Sequence, residues 1–77
     1  MDANVLCQQL LDHVARELPH EQEAILGLAA LATFHPEEVR LFVTEAMLLL
    51  LRNNCPLPET LVPEVSRRLT GAATVHG

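Results

Sequence analysis

His13 and Glu17 stand four positions apart in this chain of 77 residues, a spacing that metal sites use. On a helix, positions i and i+4 share a face, so an imidazole and a carboxylate there can present two ligands to one ion. Zinc takes three or four protein ligands, and no further His, Cys or acid lies at a supporting spacing. The pair therefore reads as two solvated residues on a helix surface. Cys7 and Cys55 are the only thiols, and neither has a histidine base beside it in sequence. Cys7 falls among apolar positions, where a cysteine packs as a small hydrophobe, and Cys55 precedes Pro56 in a connector. Ser66 is the single serine, followed by Arg67, with none of the glycines that shape a nucleophile elbow. His20 and His35 flank prolines at helix starts, where capping accounts for them, and His76 lies in the last three residues. There is no glycine-rich phosphate loop. The expectation is a protein with no catalytic residue, no metal and no cofactor.

Composition narrows the class. Apolar residues make up 49% of the chain, aromatics only 3%, and Trp and Tyr are absent. Leucine and alanine dominate, which favours helices over sheets because neither loses much on entering a helix. Ten acids against five bases give a net charge of -5, and every base is an arginine. A nucleic-acid module carries a basic stripe to neutralise phosphates, and Arg16, Arg40, Arg52, Arg67 and Arg68 are too scattered to form one. No direct nucleic-acid contact is expected. The opening MDANV lacks the positive stretch of a secretion signal, so the expected setting is intracellular, cytoplasmic or nuclear, with reduced thiols. At this length folding buries only about 60–65% of the unfolded chain's surface. Small domains offset that deficit with disulfides, metals or oligomerisation, and only the last is open to this sequence.

The elements follow from apolar spacing. In residues 2–18 the apolar positions Ala3, Leu6, Cys7, Leu10, Leu11, Val14 and Leu18 recur at helical intervals. Gln9, Asp12, His13 and Arg16 take the other face, with Asp12 and Arg16 set for an i,i+4 pair. Asp2 or Asn4 can cap this helix, and Pro19 ends it. A second helix over 20–34 starts with Glu21 and Glu23 in the favourable first turn. Its small residues Gly27, Ala29, Ala30 and Ala32 permit close neighbours, which marks it as the central element. Pro36, Glu37 and Glu38 open a third helix running to Arg52; Asn53, Asn54 and the prolines of CPLP end it. A short fourth helix fits 63–69, with Leu61, Val62, Val65 and Leu69 inward, Arg67 and Arg68 in its last turn and Gly71 as its C′ residue. The expected fold is all-α: one domain over 1–71, a small bundle of three amphipathic helices plus a short C-terminal helix, with 72–77 a disordered tail.

One stretch resists this simple picture. EAMLLLLRNN, residues 45–54, carries six apolar side chains in a row. Advancing about 100° per residue places Val39, Phe42, Val43, Ala46, Met47, Leu49 and Leu50 on one broad face, the core side. Leu41 and Leu48 fall opposite, with Glu37, Glu45 and Arg52, while Leu51 flanks them beside Arg40 and Thr44. A membrane span is excluded, because Arg40, Glu45 and Arg52 interrupt the roughly 20 apolar residues it needs. Either the fourth helix folds back over these leucines, or they are single exposed leucines of the kind common on protein surfaces, or another polypeptide covers them. The leading expectation is a non-enzymatic protein-protein interaction module, a helical adaptor or accessory subunit of a homo- or hetero-oligomer. Its partner-binding residues would be Leu41, Leu48, Leu51, Glu45 and Arg52, extended by Leu26 and Ala30. Acids at Glu37, Glu38 and Glu45 would steer a partner with basic groups. Two alternatives use the same leucines: a histone-fold-like helical dimer reaching nucleic acid through a partner, and a small helical carrier of an apolar ligand.

Overall fold

The computed structural model of the protein describes residues 2–34 and 39–74, with side chains for all of these except 33, 34 and 71–74. Every regular element among them is a helix: α1 Ala3–Glu17, α2 Gln22–Phe34, α3 Val39–Arg52 and α4 Val62–Thr74. The all-α bundle expected from composition is the fold. α1, α2 and α3 pack mutually, and α4 packs on α3. The central element is therefore α3, where the sequence suggested α2. Small side chains in α2 allow close approach, but they also leave it with Leu28 as its one fully buried residue among those described.

α1 contributes one stripe to the core: Leu6, Leu10 and Val14 are wholly buried, with Cys7 and the C-cap residue Leu18 nearly so. Asp2 takes the extended N-cap conformation at φ -65° and ψ 146° without a side-chain bond, while its carbonyl accepts the Leu6 N–H at 2.9 Å. At the other end the Leu18 N–H donates to the Val14 carbonyl at 2.8 Å. The Glu21 N–H then donates to the Leu18 carbonyl at 2.9 Å, so the chain turns through Pro19 directly into α2. His13 departs from expectation. It is buried, and its Nε2–H donates to the Pro56 carbonyl at 3.0 Å, tying α1 to the CPLP connector. A buried imidazole without such a partner would be costly. Asp12, on the wet face, accepts a hydrogen bond from Gln8 at 3.0 Å.

α3 buries Phe42, Val43, Ala46, Leu49 and Leu50, as its apolar face required. It ends in a Schellman motif. The Cys55 N–H reaches back to the Leu50 carbonyl at 2.9 Å, and the Asn54 N–H to Leu51 at 3.1 Å. Asn54 supplies the left-handed conformation at φ 55°, which asparagine tolerates better than most residues. Beside it, Asn53 clasps the α2/α3 hairpin. Its Nδ2 donates to Glu21 at 3.3 Å and to the Leu49 carbonyl at 2.9 Å, and its Oδ1 accepts from His20 Nε2 at 3.1 Å. Arg52 adds an ion pair to Glu21 at 3.6 Å, so the end of α3 lies against the start of α2 and the two run antiparallel.

α4 is entered by a tight turn, the Leu61 N–H donating to the Pro58 carbonyl at 2.9 Å, and buries Leu61 and Val65 against the core. Val62, expected inward, is exposed. The helix does not stop at Gly71 but continues to Thr74. Ala72 and Ala73 follow that glycine, and their helix propensity offsets its cost of about 1 kcal/mol. The expected helix start at Pro36, Glu37 and Glu38, and the end of the chain from residue 75, lie outside the described residues.

Candidate docking groove between α2 and α3

The four consecutive leucines of α3 divide two and two. Leu49 and Leu50 are 3% and 1% exposed, while Leu48 and Leu51 on either side are 54% and 66% exposed. The helical rotation of about 100° per residue produces this, turning the middle pair into the core and the outer pair away from it. Leu41, two turns before Leu48, is likewise 45% exposed. α4 therefore does not fold back over these side chains. It occupies a different side of α3, and none of its described side chains lines the surface the leucines make.

That surface is an open groove of about 400 Å³. α3 supplies Leu41, Glu45, Leu48, Leu49 and Arg52, and α2 supplies Ala24, Gly27, Leu28 and Leu31. Four of the six residues expected at a partner-binding site thus converge: Leu41, Leu48, Glu45 and Arg52. Leu51 and Leu26 are strongly exposed but lie outside the groove, as does Ala30. The α2 wall was not foreseen as part of the site. Its signal was the run of small residues read as a packing feature, and at its middle a Cβ built on Gly27 meets no atom within 4 Å.

The groove is apolar with one charge of each sign. Glu45 and Arg52 are seven residues apart on the Leu48 stripe, about 10 Å along the helix. Arg52 is well exposed despite its contact with Glu21, which leaves its guanidinium able to meet a further acid.

Elsewhere the chemistry is sparse. Among the described residues no three of His, Cys, Asp and Glu gather as metal ligands. Both thiols are free. Burial pushes the Cys7 thiol up, with the Arg68 charge pulling partly back. The Cys55 thiol is also raised, by desolvation and then by the Glu17 carboxylate. Raised thiols hold little thiolate at neutral pH and are poor nucleophiles. Ser66 is exposed on α4, and its carbonyl accepts the Thr70 hydroxyl. Among the described residues no helix is long and apolar enough to cross a membrane.

No family model, curated protein or solved structure matches the chain. The groove is thus the feature on which a functional reading rests.

Proposed function

We propose that this chain is a non-enzymatic protein-interaction module, a small helical adaptor or accessory subunit that holds another polypeptide in the α2/α3 groove. The observation that carries the reading is the exposed row of Leu41, Leu48 and Leu51 on the helix that forms the centre of the fold. Completing the burial of these three would contribute about 2–5 kcal/mol. That alone falls short of the cost of association, so the apolar wall of α2 has to contribute as well. A trough between two antiparallel helices fits an amphipathic helix, whose side chains at i, i+3 or i+4 and i+7 would seat between Leu41 and Leu48.

Among the described residues the helices run 13 to 15 residues each, with α2 and α3 antiparallel, which favours this reading over a histone-fold dimer built on one long central helix. The open trough also suits a polypeptide better than an apolar ligand, since small-molecule sites enclose most of the ligand surface. The proposal includes an intracellular setting, cytoplasmic or nuclear, supported by the free thiols Cys7 and Cys55.

The test is a photoreactive side chain placed at position 48 in the native cell, with the exposed α1 residue Gln9 as the control position. A discrete adduct from position 48 that is missing from position 9 is expected. Loss of that adduct on adding Leu41→Glu, with helicity unchanged, ties it to the groove. A chain that gives no adduct at position 48 is not a docking module of this kind.

A further inference from the structure

The stripe of α3 that faces the groove runs Leu41, Glu45, Leu48, Arg52, at steps of four, three and four residues. From the order of charges along it we infer that the groove's occupant is a second copy of this chain. The two α3 helices would lie antiparallel across a two-fold axis at the level of Leu48. This rests on the docking reading above and adds the identity and orientation of the partner.

In a symmetric, unshifted register the stripe complements itself only when the two helices run antiparallel. A two-fold axis passing between levels 48 and 49 sets position 45 of one copy opposite position 52 of the other, and the reverse. Glu45 then meets the second copy's Arg52 twice, once on each side of the axis. Leu48 of both copies lies between the two pairs and is sealed from water. A parallel arrangement in the same register would bring acid against acid and base against base, so the stripe selects against it. An interface of this kind needs no second gene product shaped to match, since one patch supplies both halves.

Two further observations agree. The chain is acidic overall, yet among the described residues the groove lining carries one acid, Glu45, and one base, Arg52, so the surfaces that would meet lack the acid excess that would keep copies apart. Gly27 sits in the middle of α2 with open space above it, and no described residue of a single copy requires a glycine there. A helix from the second copy lying in the groove closes that space, and the missing side chain lets its backbone come near.

The decisive experiment uses Glu45→Arg and Arg52→Glu singly, mixed and combined, with mass measured by light scattering on a size-exclusion column and helicity by circular dichroism. Both positions are exposed; Arg52→Glu also gives up the ion pair to Glu21, so its helicity is checked and its recovery in the mixture separates a lost interface from a lost fold. Wild type should run as a dimer. Each single variant should dimerise at least about tenfold more weakly, because it places like charges opposite each other twice. An equimolar mixture of the two singles should recover the dimer as a heterodimer, visible when one carries a size tag, and the double variant should recover it alone. Wild-type dimers indifferent to both substitutions, a mixture that stays monomeric, or a wild type that is monomeric at every concentration would each overturn the second-copy proposal. The photoadduct separates the two levels: one of a different protein's mass removes the second copy and leaves the docking groove, whereas no adduct removes both.

Discussion

The run Leu48, Leu49, Leu50, Leu51 allows four neighbouring truncations of identical chemistry to be compared, each leucine replaced by alanine in turn. Leu49 and Leu50 are 3% and 1% exposed, and Leu50 also lies under the C-terminal cap of α3, its carbonyl accepting the Cys55 N–H. Truncating a leucine so enclosed removes its transfer energy and leaves a void, costing about 2–5 kcal/mol. A chain of this size has a total stability of about 4–12 kcal/mol, so either change takes a large fraction of it. A loss of about 3 kcal/mol would lower Tm by more than about 10 °C. Leu48 and Leu51, at 54% and 66% exposure, have only part of their surface to lose, about 1 kcal/mol or less, and alanine returns a few tenths through its better helix propensity.

Urea unfolding followed by circular dichroism, at a protein concentration low enough for single copies to dominate, reads these values directly. The expected pattern along the run is small, large, large, small, with an unchanged denaturant slope. A loss above about 2 kcal/mol for Leu51→Ala, or below about 1 kcal/mol for Leu50→Ala, would refute the rotation assigned to α3 and with it the groove. Repeated at high concentration, the same series should show Leu48→Ala becoming costly, because the leucine is then covered by its partner.

Two other outcomes follow from the helix ends. Asn54 holds φ 55° at the Schellman position, so Asn54→Val should destabilise the fold by about 1–2 kcal/mol while Asn54→Gly is neutral or mildly stabilising; equal losses from both would mean the backbone conformation is not the constraint. At Glu64, desolvation raises the carboxyl, and the hydrogen bond and charge of Arg67 with the charge of Arg68 outweigh it, leaving the pKa below its usual value. Because the folded pKa is the lower one, the contribution is present above the unfolded value near 4.3 and is lost as pH falls through the folded value. The Tm gap between wild type and Glu64→Gln should therefore close on acidification, and a gap of constant size down to about pH 3 would exclude the ion pairs as its source.

Much of this fold is legible because helical spacing of apolar residues constrains it strongly. The stripes of α1 and α3, and the outward leucines of α3, follow from rotation alone. What escaped the sequence reading depended on distant partners or competing local rules. His13 lies three residues after Leu10 and seven after Leu6, on the buried stripe, but its polar side chain argued for water. Its acceptor is the Pro56 carbonyl, 43 positions away, which only the path of the connector reveals. Gly71 obeyed the general preference for glycine after a helix, yet two alanines beyond it carried α4 onward. The central role of α3 escaped because it depends on which helix α4 chooses to pack against.

That central role also explains why the α3 perimeter is apolar almost all round. Three sides meet α1, α2 and α4, which accounts for Phe42, Val43, Ala46, Leu49 and Leu50. A helix so placed still has one open sector, and stability of a single copy would be served there by lysine, glutamate or glutamine. Leu41 and Leu48 occupy it instead, alternating with Glu45 and Arg52. Leucines at all four positions would bind more tightly but would accept almost any apolar helix in either direction. Two opposite charges at fixed steps lower the affinity and exclude every arrangement that leaves them facing their own sign. On the second-copy proposal the leucines supply the area and the charges supply the register, a division of labour that the charge-swap variants test directly.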